Sequence, residues 1–289
     1  MTTTISVPRP RANLAPGDAR ELVHTIVALL QRDVRVIRRE WASFLVRLIM
    51  QPLLFVFVFT YVLPKVGAGA SPVGSVAAAH TAFTFATILV PGLVAVSINF
   101  QGVQAVALPL VREFSWSKEI EDRVLAPVPV WGVGLAKILS GTAQAMLAAV
   151  IVLPVVTFVH APGKGPHLEP NWLGFVVVLF FSATLMSSFG LLLGTIIDPN
   201  KLNLLFSVVI LPITFLGCVY YPWAALSSIR WLQVLVLINP LVYVSEGLRW
   251  ALTPQIGHMP LWAIALALVG GSAVFGTLAL RTFTRRVIT

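Results

Sequence analysis

Long apolar runs without any charged residue recur along this chain of 289 residues. Six runs lack Asp, Glu, Lys and Arg, and they lie between Arg47 and Lys65, Lys65 and Arg112, Lys137 and Lys164, Glu169 and Asp198, Lys201 and Arg230, and Arg249 and Arg281. A helix needs about 20 mostly apolar residues to cross a bilayer. Each run can hold one such helix, the first with help from its flanking residues, and none shows the period-two alternation of a strand. The pattern predicts an all-α integral membrane protein with six transmembrane helices.

The predicted spans cover residues 44–63, 83–106, 131–159, 172–197, 202–221 and 261–280. Pro91-Gly92 favours a kink in the second span, because proline removes a backbone donor. Between the fifth and last spans, residues 222–260 hold two short apolar pieces separated by Asn239-Pro240. Neither piece is long enough to span, so we predict a re-entrant hairpin that enters from the external side. Its candidate functional residues are Asn239, Pro240, Glu246 and Arg249.

The N-terminal region precedes these spans and divides into two parts. Residues 1–17 are rich in Pro, Arg and Thr, which predicts a disordered tail. Within residues 18–43, apolar positions recur at steps of three or four, which is typical of one face of a helix. We predict an amphipathic helix in the membrane interface, and an ordinary soluble amphipathic helix is the alternative. The membrane domain then covers residues 44–289.

Composition and charge agree with a membrane location. The chain is 57% hydrophobic and 11% charged, whereas soluble domains carry about 25% charged residues. If both termini are cytoplasmic, sixteen Lys and Arg lie in inner segments and four in outer ones. Because basic residues favour the cytoplasmic side, we predict a multi-pass protein of the cytoplasmic membrane with both termini inside. The net charge of +9 then predicts contact with acidic lipid rather than with nucleic acid.

No motif for catalysis or energy coupling is visible in the chain. There is no G-x-x-x-x-G-K-[ST] phosphate loop, no H-E-x-x-H zinc pattern and no G-x-S-x-G nucleophile elbow. No acidic residue falls inside a predicted span, where an ion-driven carrier usually places one. We therefore predict no catalytic, cofactor or metal site. If the protein moves a substrate, the energy should come from another polypeptide.

One segment concentrates charge in this otherwise apolar chain. Residues 111–129 read VREFSWSKEIEDRVLAPVP and follow the second predicted span. We predict a short helix across the cytoplasmic face that docks a soluble partner, with a solvated loop as an equal alternative. Its candidate docking residues are Arg112, Glu113, Phe114, Trp116, Lys118, Glu119, Glu121 and Arg123.

Three segments of the chain resemble the membrane subunits of type-2 ATP-binding-cassette exporters. They are LVREFSWSKEIEDRVLAPVPVWGVGLAKIL after the second span, LVPGLVAV within it, and FLGCVYYPWAALSSIRWLQVLVLINPLVYVSEGLRWAL before the last span. The similarity extends from about Leu22 to the end, and it resembles the daunorubicin-resistance and nodulation-factor export group. One departure is the absence of any glycine between Gly102 and Gly132, where the family often has one after the Arg-Glu pair.

The resemblance implies a permease subunit that pairs with a second one, as a homodimer or heterodimer, and binds two cytosolic ATPase subunits. ATP and Mg²⁺ would bind those ATPases and not this chain. Residues 111–129 would be the coupling helix and residues 222–252 would close the external end of the path. The cargo implied is hydrophobic or amphipathic: a drug, a lipid or a lipid-linked saccharide.

Two groups of residues are candidates for lining that path. Polar residues at membrane depth are Gln51, Asn99, Gln101 and Gln104, for which helix–helix hydrogen bonding is the alternative role. Aromatic residues of the fifth span are Phe206, Phe215, Tyr220 and Tyr221, for which packing is the alternative. Other functions remain open: a channel or secondary carrier, a membrane enzyme acting on lipid, and a non-transporting membrane anchor.

Overall fold

The structure is a computed structural model, and it describes residues 27–28, 30–31, 35, 38–39, 41–62, 85–114, 130–158, 166–197, 201 and 205–288. Within these ranges every regular element is a helix. The described positions between 27 and 39 are helical and largely exposed. They lie in the predicted interfacial helix, whose contact with a membrane surface stays a prediction.

Eight α-helices are described. They are α1 (Trp41–Val56), α2 (Phe85–Arg112), α3 (Val130–Phe158), α4 (Trp172–Ile196), α5 (Leu211–Phe215), α6 (Arg230–Leu235), α7 (Pro240–Leu252) and α8 (Leu261–Ile288). Two π-helical segments, Phe57–Val62 and Leu205–Ile210, continue α1 and precede α5. Two 3-10 segments, Trp223–Ser228 and Val236–Ile238, flank α6.

Four helices are long and apolar enough to cross a membrane, and they coincide with the second, third, fourth and last predicted spans. A fifth candidate is the pair Arg230–Ile238 and Pro240–Leu252, whose two halves meet at 99°. Such a bend fits either a broken span or the predicted re-entrant hairpin. The first and fifth predicted spans are each divided between a π-helical and an α-helical segment. Four to five spans are therefore described, and the number six stays a prediction.

Two boundaries differ from the expected ones. Helix α2 continues past the predicted end of its span, through Pro109 to Arg112. Helix α8 continues past the predicted end of its span at residue 280, through Arg281, Arg285 and Arg286 to Ile288. Arginine has good helix propensity, and its charge reaches the headgroup region without ending the helix.

The core of the bundle is built around α2. Helices α2, α3 and α4 pack against one another, α8 packs on α4, and α7 lies across α2, α4 and α8. In the apolar 18-residue window of each helix, 67% of the residues are buried in α2 and 17% in α8. Because the exposed surface of α8 is apolar, this helix has the composition of a lipid-facing span. Glycine allows close contact between α2 and α4, since a Cβ at Gly190 would lie 2.8 Å from Val103 Cα.

A second close approach joins α2 to the segment that follows α5. A Cβ at Gly92 would overlap the carbonyl oxygen of Val219 and lie 2.9 Å from its Cα. Both neighbours are backbone atoms, so they cannot move aside as a flexible side chain would. The Pro91-Gly92 pair thus lies within a continuous helix, where the glycine provides room for another segment.

We expect Gly92→Ala to destabilise the bundle by about 1–3 kcal/mol, because the new methyl group overlaps fixed backbone. The measurement is thermal unfolding of the purified protein in detergent. The matched control is Gly270→Ala in α8, where nothing lies within 4 Å of the added Cβ. This control should keep or slightly raise the melting temperature. Equal melting of Gly92→Ala and wild type would contradict the close approach.

Candidate functional site

One end of the bundle brings together the bent helix pair and the start of three long helices. The hydroxyl of Thr87 in α2 accepts a hydrogen bond from His167 N at 3.1 Å. Asn171, whose side chain caps α4 through Gly174 N, donates from its backbone to Ala251 O in α7 at 2.8 Å. We call this the hairpin end. The sequence prediction assigns it to the external side.

A fully buried ion pair lies within the hairpin end. Glu246 and Arg249, one turn apart in α7, are both 0% exposed and contact each other through Oε1 and Nη1. Each also binds backbone: Glu246 accepts from Trp223 N at 2.9 Å and from Met259 N at 3.0 Å. Arg249 Nη2 donates to Cys218 O at 3.1 Å. We call this pair with its three backbone partners the hairpin hub.

The hairpin hub shows how a charged residue of the predicted hairpin is accommodated. Glu246 lies outside the predicted spans, and the structure buries it completely. The reason is that its charge meets Arg249 and two backbone N–H groups, which replace the water it loses. The Glu246–Arg249 pair therefore stabilises the local structure of the hairpin.

Two further side chains of the hairpin bind the chain near the end of α5. Asn239 donates from Nδ2 to Ile213 O at 2.7 Å, while its Oδ1 accepts from Leu241 N and caps α7. Ser245 Oγ donates to Gly217 O at 2.7 Å. Pro240 occupies the first turn of α7, where its missing N–H costs nothing. At the predicted break, Asn239 and Pro240 therefore begin α7. The side chain of Asn239 also binds α5.

Ser245 and Cys218 were not among the candidate functional residues from the sequence. Cys218 has a φ of 52°, in the left-handed region that side chains other than glycine rarely adopt. This conformation turns the chain after α5 and presents the carbonyl of Cys218 to Arg249. No local sequence pattern predicts this turn, because Cys218 is a small apolar residue within an apolar run.

The opposite end of the bundle holds a second cluster of charged and aromatic side chains. At the end of α2, Glu113 Oε2 lies 2.7 Å from Lys137 Nζ in α3. The guanidinium of Arg286 in α8 lies 4.6 Å from the ring centre of Phe114 and donates to Thr195 O at the end of α4. We call these five residues the end cluster. It joins α2, α3, α4 and α8 at the end of the described stretch 85–114.

The predicted docking residues fall into two groups. Arg112 is exposed, whereas Glu113 is 8% exposed and Phe114 is half-buried against Phe283, with a ring separation of 6.3 Å. The last two thus contact the bundle itself. The others lie outside the described residues: Trp116, Lys118, Glu119, Glu121 and Arg123. Docking by these residues stays a prediction.

Two of the polar candidates for a path, Asn99 and Gln101, form hydrogen bonds between helices. Asn99 is 1% exposed and donates to Thr214 Oγ1 of α5 at 3.2 Å. Gln101 donates to Gln144 Oε1 of α3 at 3.3 Å and is half-buried, as is Gln104. These contacts support the helix–helix role for Asn99 and Gln101. The side chain of Gln51 lies outside the described residues.

The aromatic candidates are distributed differently. Phe215 is 58% exposed, and its ring centre lies 6.3 Å from that of Tyr220. Tyr220 and Tyr221 are half-buried beside the core, and the side chain of Phe206 lies outside the described part. Phe215 is thus the candidate whose side chain presents the most surface to a path or to lipid.

Long apolar helices joined by buried polar contacts, with a bent helix pair at one end, define a multi-pass α-helical membrane protein. The family model described as ABC-2 type transporter matches residues 24–253. The chain belongs to this family, which confirms the family-level resemblance. It does not test the daunorubicin-resistance and nodulation-factor group.

Curated relatives agree with this assignment. The chain is similar to the inner membrane transport permease YadH of Escherichia coli strain K12 and to YadH of Shigella flexneri. Each is 27% identical over 169 residues, which is 58% of this chain and 63% of the relative. The match thus leaves more than a third of each relative uncovered.

We expect removal of one member of the Glu246–Arg249 pair to destabilise the protein by about 3–5 kcal/mol, because the other charge stays buried without its partner. The variants are Glu246→Gln and Arg249→Met, measured by thermal unfolding in detergent. The double variant should lose less than the sum of the single losses. An exposed control, Arg230→Gln, should change stability by less than about 0.5 kcal/mol. Strict additivity of the two single losses would contradict the ion pair.

Proposed function

We propose that this chain is the permease subunit of an ATP-driven exporter in the cytoplasmic membrane, with both termini in the cytoplasm. Membership of the ABC-2 type transporter family over residues 24–253 is the observation that carries the proposal. The similarity to proteins named inner membrane transport permeases supports the location and the transport role. The cargo class is hydrophobic or amphipathic: a drug, a lipid or a lipid-linked saccharide.

The energy comes from a separate cytosolic ATPase that binds ATP and Mg²⁺. The sequence of this chain has no phosphate loop, so the chain itself is a permease without enzymatic activity. ATP binding closes a pair of ATPase subunits, and their motion pushes the segment 111–129 of each of two permease subunits. The two permeases form a homodimer or a heterodimer, and the path opens outward between them. The driving step is a two-state change biased by a bound ligand.

The end cluster supports a route for that motion into the bundle. Glu113 and Phe114, the last described residues before the segment 115–129, contact Lys137 of α3 and Arg286 of α8. A push on the segment therefore reaches α2, α3 and α8 together, because the ion pair and the stacked guanidinium resist separation. From α2 the displacement reaches α5 through the hydrogen bond between Asn99 and Thr214.

The hairpin hub favours this function over a secondary carrier. A carrier driven by protons or ions needs an ionisable group that exchanges with solvent or substrate during the cycle. Glu246 instead accepts two backbone hydrogen bonds and contacts Arg249, and all of these partners lie inside the protein. The pair therefore stabilises the hairpin at the external end. A channel, a membrane anchor and a lipid-modifying enzyme have no comparable support from the described contacts.

The exporter function is tested by purification and reconstitution. Affinity purification of the full chain from its own cells should recover an ATP-hydrolysing subunit. Vesicles containing the complex should then move a labelled lipid or an amphipathic dye only when ATP is present. Transport by the chain alone under a proton gradient would overturn the proposal.

We expect the double reversal Glu119→Lys/Glu121→Lys to weaken recovery of the ATPase by about tenfold or more, because like charges then face the docking surface. Glu113 is left unchanged because it is buried, and its reversal would disturb the bundle itself. The control is Arg230→Glu, an exposed reversal at the hairpin end that should leave recovery intact. Recovery is measured by co-purification, with membrane insertion checked by size-exclusion chromatography. Undiminished recovery with the double reversal would remove residues 111–129 from the docking site.

A further inference from the structure

The fifth predicted span contains a stretch of helix with a wider turn than the rest. Leu205–Ile210 is π-helical and continues directly into α5. In a π-helix each backbone hydrogen bond joins residues i and i+5, so it encloses one residue more than the bond of an α-helix. Such turns occur mostly singly within α-helices, and they are frequent at functional sites. We call Leu205–Ile210 the wide turn, and it holds one surplus residue relative to a regular helix.

The chain that follows the wide turn is fixed by its neighbours. Asn239 Nδ2 donates to Ile213 O at 2.7 Å, and Ser245 Oγ donates to Gly217 O at 2.7 Å. A change in the pairing of the wide turn therefore leaves the chain from Ile213 onwards in place and moves the opposite end of the turn. One residue of an α-helix corresponds to about 100° of rotation and about 1.5 Å of rise, which is the size of that movement.

One hydroxyl group lies at the boundary between the two kinds of pairing. Thr214 Oγ1 donates to the carbonyl of Ile210, the last residue of the wide turn, at 2.8 Å. The same oxygen accepts a hydrogen bond from Asn99 Nδ2 of α2 at 3.2 Å, and both side chains are buried. The hydroxyl therefore connects α2 to the backbone at the residue where the wide turn ends.

The sequence of the wide turn suits more than one register. Ile210 is 1% exposed and packs with Val103 and Ala107 of α2, whereas Val208 is 63% exposed. Residues 208–211 read VVIL, so a rotated turn still places an aliphatic side chain against α2. Exchanges among aliphatic side chains of similar volume cost little in packing energy. The two registers are therefore close enough in free energy for a bound partner to select between them.

We propose that the wide turn is a register switch in the export cycle, with Thr214 as its positioning residue. When α2 moves, Asn99 draws the Thr214 hydroxyl away from the Ile210 carbonyl, and the wide turn changes to α-helical pairing. The surplus residue then leaves the turn, so the end of the turn farther from α5 rotates by about 100° while the hairpin hub stays in place. The switch rests on the proposed function, because the motion of α2 comes from the ATPase.

Single-residue deletions test the wide turn itself. Removal of Val208 takes away the surplus residue, so the turn should close as regular α-helix and the melting temperature in detergent should stay within about 4 °C of the wild type. The matched control removes Val177, another exposed valine, from the regular helix α4. This deletion rotates the buried residues that follow it by about 100° and should lower the melting temperature by more than about 10 °C. An equal loss of stability in the two deletions would contradict the surplus residue.

Transport by the Val208 deletion tests the switch. The purified complex should still contain the ATPase and hydrolyse ATP, because the deletion lies away from the segment 111–129. Its ATP-dependent movement of a labelled lipid or dye should fall about tenfold or more, since one of the two registers is no longer reachable. Transport at the wild-type rate would overturn the switch.

The role of the Thr214 hydroxyl is tested by the number of molecules moved per ATP hydrolysed. Thr214→Val keeps the shape of the side chain but removes two hydrogen bonds, so this ratio should fall about tenfold. Thr214→Ser keeps the hydroxyl and should restore most of the ratio. A merely structural role would lower the yield of folded complex and leave the ratio unchanged, and that result would overturn the positioning role.

The measurements separate failure of this switch from failure of the proposed function. If the wild type recovers no ATP-hydrolysing subunit, the export function is wrong and the switch has no driving motion. If the wild type exports and the Val208 deletion or Thr214→Val exports with the same ratio, the export function stands and the switch is wrong. The melting temperatures of the two deletions need no ATPase, so they decide on the wide turn in either case.

Discussion

The structure depends on satisfying backbone polar groups where a helix is interrupted among apolar surroundings. An unpaired N–H or C=O costs several kcal/mol in a medium without water, so irregular chain at membrane depth needs partners from the protein. The segment after α5 receives them from α7: Ser245 binds Gly217 O, Arg249 binds Cys218 O, and Glu246 binds Trp223 N. The polar side chains of the hairpin are therefore the reason that the interruption can exist in this position.

The same contacts connect the two ends of the bundle through α2. At the hairpin end, the backbone of Val219 packs directly on Gly92, so the turn held by Arg249 is also held against α2. At the other end, Glu113 joins α2 to α3 through Lys137. Because α2 is largely buried and packs on both α3 and α4, it is suited to move with them as one body. Helix α8, mostly exposed, meets this body at Arg286 and along α4.

The sequence predicted the parts of the fold that depend on composition alone. The runs that hold α3 and α4 contain enough uninterrupted apolar residues that their helices begin and end within one residue of the prediction. The division of residues 205–215 into π- and α-helical turns follows from packing and is invisible in an apolar run. Glu246 and Arg249 were singled out from the sequence, but the backbone partners of Glu246 were not, since they lie 13 and 23 residues away. Only its i, i+3 spacing to Arg249 is a local signal.

The few charges of the chain thus act in different ways according to what surrounds them. Glu246 and Arg249 are fully buried, so salt screens the electrostatic attraction between them only weakly. Lys137 and Glu113 are nearly enclosed, and their ion pair joins α3 to the end of α2. Arg281 and Arg285 are exposed on the last turns of α8. The enclosed charges of this chain therefore lie at junctions between segments, where a neighbouring side chain or backbone group replaces the water they lose.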